Sequence, residues 1–156
     1  MNKNNELSLK LRKFHAAKKK KTCDELYRRI GFNLKDATHY NLEELIQVGN
    51  NLQTRIDFEN PKFEEIDDTQ SFLDSDLLHE LFMNCSESCC FVYSQNCRDC
   101  GMYRIETKAG IPYLLNLAKS DYQETCYLID EEFKYYIIVN YLKNECVYDI
   151  QLRLAR

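Results

Sequence analysis

The spacing of apolar residues changes at Cys89, and that change limits the folds open to this chain. Before it, apolar residues recur every three or four positions; after it, every second position. Phe91 and Tyr93 alternate with Val92 and Ser94. Tyr103, Ile105 and Thr107 alternate with Met102, Arg104 and Glu106. These two runs flank a cysteine-bearing turn and read as a hairpin. Residues 125–129 read as a short strand. Residues 135–142 are apolar on both faces, as a covered central strand requires. Cys146, Tyr148, Ile150, Leu152 and Leu154 alternate with Val147, Asp149, Gln151 and Arg153, so one face of the last strand meets water. Lys143, Asn144 and Glu145 join the last two strands, with Asn144 suited to left-handed backbone. Residues 111–117 stay open between edge strand and helix, since Pro112 allows either.

The half before Cys89 predicts helices. Leu7, Leu11 and Phe14 fall at i, i+4 and i+7, which predicts a helix over about residues 6–20 with that stripe as its packing face. Lys18, Lys19, Lys20 and Lys21 then run on into solvent. Thr22 and Glu25 have the spacing of a capping box, so a second short helix follows, with Leu26, Tyr27 and Ile30 inward and Gly31 as its stop. A third begins at Asn41 and places Leu42, Leu45, Ile46, Gly49, Leu52 and Ile56 on one face. Residues 57–68 read as an acidic connector broken at Asn60-Pro61. A further helix runs from Ser71 or Ser75 to about Met83. Helices followed by an antiparallel meander predict an α+β fold, with basic N-terminal helices and a sheet carrying helices on one side.

Charge divides the chain at about the same scale. Residues 1–35 carry 11 Lys or Arg against 3 acids, a net +8; residues 36–156 carry −12. We therefore read residues 1–35 as a basic helical segment and 36–156 as an acidic α+β domain. No apolar run approaches the ~20 residues of a membrane span, and no signal-like segment opens the chain. A cytoplasmic protein is expected, with its 8 cysteines as thiols or metal ligands.

Cys97-Arg98-Asp99-Cys100-Gly101 resembles a zinc knuckle, in which two thiolates grip one ion across a tight turn. Cys85 with Cys89 or Cys90 would complete a tetrahedral set, and His79 is a possible substitute; zinc is the one cofactor expected. Cys23, Cys126 and Cys146 read as buried thiols. Lys10, Arg12, Lys13, Lys18, Lys19, Lys20, Lys21, Arg28 and Arg29 could track DNA or RNA phosphates. The alternatives are a solvated helix face, or a segment folded back on the chain's own acids. Glu64, Glu65, Asp67, Asp68, Asp74 and Asp76, with Glu59, could imitate phosphates before a basic partner.

For catalysis, Asp99 with Glu106 and Lys108 resembles the metal-binding core of restriction-type nucleases, although the Pro-Asp dipeptide of that core is missing. No spacing pairs His15, His39 or His79 with a reactive thiol. The leading expectation is a small non-enzymatic binding protein that occupies a surface of a protein or ribonucleoprotein. A phage-encoded inhibitor of a host nuclease, of the anti-CRISPR kind, fits the size and charge. A nucleic-acid-binding regulator with a zinc-stabilised sheet and a metal-dependent nuclease are the alternatives.

Overall fold

The computed structural model describes residues 3–84, 89–95, 100–120 and 125–156. The elements in chain order are α1 (Lys3–Arg29), β1 (Thr38–Tyr40), α2 (Leu42–Arg55), β2 (Lys62–Ile66), α3 (Thr69–Leu73) and α4 (Asp76–Asn84). They continue with β3 (Cys89–Ser94), β4 (Met102–Glu106), α5 (Thr107–Ser120), β5 (Thr125–Asp130), β6 (Tyr135–Leu142) and β7 (Val147–Leu154). The fold is α+β. One seven-stranded sheet takes the order β1-β4-β3-β5-β6-β7-β2, and every neighbouring pair is antiparallel.

Two core clusters lie on opposite faces of this sheet. On the first, α5 buries Ile111, Leu114, Leu115 and Leu117 against Cys90, Val92, Leu128, Ile137, Val139 and Ile150, with Leu78 of α4 and Tyr27 of α1 at the margins. Each fully buried aliphatic side chain contributes about 1.5–3 kcal/mol. This burial decides the ambiguous stretch: residues 111–117 are helical, and Pro112 sits inside α5. On the second face, α2 covers Phe91, Met102, Ile129 and Tyr136 with Leu42, Leu45, Val48 and Leu52. Helices therefore occupy both faces, where one was expected. Asn41 caps α2 as its sequence implies: its side chain accepts from Glu43 N and Glu44 N, while Glu44 closes the capping box. Val48 is buried in α2, and Ile46 points outward at 38% exposure.

Three local expectations differ from the structure. The basic end is one helix of 27 residues, not two. The Thr22 and Glu25 spacing is overridden because no Gly or Pro interrupts residues 3–30 and Lys20 pairs with Asp24 across that point at 2.8 Å. The helix ends as read, at Gly31 (φ +83°): Gly31 N–H donates to Arg28 O and Phe32 N–H to Tyr27 O. The acidic connector contains β2, which pairs with β7 from Lys62↔Leu152 to Ile66↔Tyr148. In the β6–β7 turn the left-handed residue is Cys146 (φ +58°), not Asn144; Glu145 N–H and Cys146 N–H both donate to Leu142 O, which places the positive φ last.

Gly101 sets the edge of the sheet. Its φ is +103°, and a Cβ there would run into the carbonyl oxygen of Tyr40 on β1. Gly101→Ala should lower unfolding stability by about 2–4 kcal/mol through combined strain and loss of the β1–β4 edge. Gly49→Ala, at a helical position with open space around it, should raise stability by up to about 1 kcal/mol. Urea unfolding of the two variants beside the wild type checks both signs.

Candidate partner-binding surfaces

One face of α1 is locked to the body. Cys23 and Tyr27 are buried, Ala16 and Leu9 are partly buried, and the spacing 9, 16, 23, 27 keeps them on one side of the helix. Tyr27 lies edge-on to Phe32 at 5.1 Å and against Tyr103 at 4.7 Å. Cys23 is joined to Cys100 as a disulfide. Asp24 accepts from Lys20 Nζ at 2.8 Å and from the Tyr103 hydroxyl of β4. Lys13 pairs with Glu43 at the start of α2.

With that side inward, the stripe read as the packing face of the first helix points to solvent. Leu7, Leu11 and Phe14 are 61%, 53% and 60% exposed. The missed signal was Leu9-Ala16-Cys23-Tyr27, whose small members do not register as an apolar stripe. Lys10, Lys18, Lys21 and Arg29 are exposed within about 60° of the outward stripe, at 100° per residue. Lys10 also pairs with Glu6 at 2.8 Å, and Lys18 Nζ lies 5.4 Å from the Phe14 ring. Arg12 and Lys19 are exposed on its flank, and Arg28 is exposed near the C-terminal end. The nine cations proposed for phosphate contact thus divide. Lys13 and Lys20 are paired with Glu43 and Asp24, Lys20 half-buried and Lys13 exposed, and the other seven are exposed. A cleft of about 330 Å³ opens between α1 and the β1–α2 corner. Its cations, Lys13 and Lys20, are those already compensated by acids.

A second surface lies on the sheet. The helix α2 covers only part of its face. Beside it, Tyr93, Tyr127, Ile138, Gln151 and Phe63 stand in register across β3, β5, β6, β7 and β2. The first four are half-buried, and Phe63 is 62% exposed. Tyr93 and Tyr127 stack at 4.8 Å. The next row is polar: Thr125 Oγ1 donates to Asn140 Oδ1 at 2.9 Å, and Asn140 Nδ2 donates to Asp149 Oδ2 at 3.3 Å, with Glu65 opposite Asp149. Alternation placed Gln151 in a strand with one face in water, but Ile138 falls in a run read as covered on both faces and Phe63 in a stretch read as connector, and the register that aligns the five positions was not visible in one dimension.

The acids proposed for partner contact are scattered in role. Glu64 and Glu65 alternate on edge strand β2, with Glu65 on the face of the open row. Asp68 caps α3 by accepting from Ser71 N at 2.8 Å, and Asp74 accepts from Gln70 Nε2 at 2.8 Å. Asp67 and Asp76 are exposed at the ends of the short helices.

For the metal proposal, Cys85 and Cys97 lie outside the described residues. Cys100, expected as a ligand, is bonded to Cys23, which was expected as a plain thiol. Cys89 is half-buried beside Arg104 and Glu131. Burial pushes the Cys89 and Cys90 thiols up, away from the thiolate form. Among the described residues no group of three or more His, Cys, Asp or Glu is placed to hold a metal ion. Of the nuclease-like trio, Asp99 lies outside the described residues, and Glu106 and Lys108 are exposed at the β4–α5 junction. His39 Nε2 lies 2.8 Å from Cys100 O, and its ring packs on Tyr103. No described helix is long and apolar enough to cross a membrane.

No protein-family model matches this chain, and comparison with curated proteins and with solved structures finds no match.

Asp24 gives a direct test of how α1 is held. Burial would raise its carboxyl, but hydrogen bonds from Lys20 and Tyr103 and the charges of Lys20 and Arg28 outweigh burial and hold it below the usual range. A carboxyl depressed by folding adds stability above the unfolded value near pH 4, and that stability is lost as pH falls through the folded value. Asp24→Asn should therefore cost about 1.5 kcal/mol at pH 7. The difference from wild type should shrink below about pH 4, read by urea unfolding at pH 7 and pH 3.

Proposed function

We propose that this protein acts by occupancy, without catalysis, and covers a surface of a protein–nucleic acid partner with the outward face of α1. The observation that carries this reading is the pairing of Leu7, Leu11 and Phe14 with Lys10, Lys18 and Lys21 on one exposed helical face. Three exposed apolar side chains in a row require a groove of matching chemistry, which proteins supply. The surrounding cations require phosphates or carboxylates. A nuclease engaged with its nucleic acid offers both within one helix length. Blocking that surface would inhibit it sterically, as an inhibitor of the anti-CRISPR kind would. The acidic body is repelled by a phosphate backbone and stays off it, so α1 leads the contact.

The two halves of the face separate by salt. Leu11→Ser with Phe14→Ser should weaken partner binding at least about tenfold at every salt concentration, as loss of two buried anchors does. Lys18→Gln, Lys19→Gln and Lys21→Gln together should weaken it mainly at low salt. They should flatten the slope of log affinity against log salt by about 2–3. Affinity capture from host extract, followed by titration of the recovered partner, makes the measurement. Binding undiminished by either set would remove α1 as the contact. Loss with the charge set alone would leave a bare nucleic acid as the partner.

A further inference from the structure

The face of α1 and the open row of the sheet complement each other, and they cannot meet within one molecule. Cys23, Asp24 and Tyr27 hold α1 against β4, next to the β1 edge, with Leu7, Leu11 and Phe14 turned outward. The open row ends at Phe63 on β2, the opposite edge of the seven strands. From Tyr93 to Phe63 the row crosses four strand spacings, about 19 Å. From Leu7 to Lys21 the helix rises about 21 Å. The row lies beside α2, which already shows that this face accepts a helix laid across its strands. Its signs match too: Glu65 and Asp149 border the row, and Lys10, Lys18 and Lys21 border the stripe. Two α1 faces brought together would oppose cation to cation, so a like-with-like pairing is disfavoured.

We propose that a second copy of this chain lays the outward face of its α1 on the open row of the first, beside α2. The contact joins unlike surfaces, so copies associate head to tail, and the series either closes into a ring or continues. This α1 face is the one assigned to a partner above. The inference stands equally on the sheet, and self-association would compete with that partner for the helix.

Sedimentation velocity on the full chain tests it. The wild type should rise at least twofold in average mass with concentration up to about 1 mM at low salt. At about 0.5 M salt, with exposed charges screened, the association should weaken at least tenfold. A head variant, Leu11→Ser with Phe14→Ser, and a tail variant, Phe63→Ser with Glu65→Lys, change only exposed positions. Each alone should stay monomeric, with wild-type circular dichroism. Mixed in equal amounts they should form a species of two copies, because one intact row and one intact helix remain. A monomeric wild type would overturn the proposal, and its retention by anionic vesicles or an RNA oligonucleotide would then assign the helix to that ligand. Variants that associate like the wild type, or a mixture that stays monomeric while the wild type associates, would also overturn it. The tail variant leaves α1 unchanged and should keep partner capture, so failure here and failure of the proposed function give different results.

Discussion

Tyr27 decides which way the N-terminal helix faces. Fully buried between Phe32 and Tyr103, it sets the rotation of α1, and an uninterrupted helix transmits that rotation along its length. Leu7 stands twenty residues earlier, about 160° around the axis, and so lies on the far side. The orientation of the apolar stripe is thus settled near the C-terminal end of the helix, where the packing is. Asp24, held by Lys20 and the Tyr103 hydroxyl, and the Cys23–Cys100 bond fix the same segment to β4. The basic segment is therefore two-sided: one side is held to the body through Leu9, Lys13, Cys23 and Tyr27, and the other presents cations and apolar side chains to solvent.

The sheet obeys a similar economy. Burial of Leu114, Leu115 and Leu117 commits one face to α5, and that face has no vacancy at its centre. The other face is covered mainly by α2, with Leu9 of α1 at its margin, and α2 lies over Met102 and the row of Phe91, Ile129 and Tyr136. What remains is a band whose residues are neither apolar enough to demand cover nor polar enough to repel it. Stacked tyrosines beside a polar row are the composition found where one protein rests on another.

Much of this was legible in the residues themselves. Period-two alternation located β3, β4 and β7, an apolar run located β6, the Asn41 cap located α2, and Gly31 located the end of α1. Three features were not. Strand β2 hides in a charged stretch, Lys62-Phe63-Glu64-Glu65-Ile66, because an edge strand with one buried residue lacks the alternation of a half-buried one. The phase of α1 was misread because its inward residues after Leu9 are alanine, cysteine and tyrosine while its outward ones are two leucines and a phenylalanine. Hydrophobicity alone then points the wrong way, and only the partners of Tyr27 correct it. The open row was invisible for a further reason: it exists only once five strands are aligned, and register is a property of pairs.

The strand order carries a consequence for how the chain comes together. Both rim strands, β1 and β2, belong to the first 66 residues, yet their neighbours β4 and β7 lie 62 or more residues and 82 or more residues downstream by register. During synthesis β1 must wait, unpaired, until β4 emerges, and β2 until β7 does. A protein assembled from its middle outward folds slowly for its size, and its N-terminal third is the part most exposed to chaperones and proteases on the ribosome.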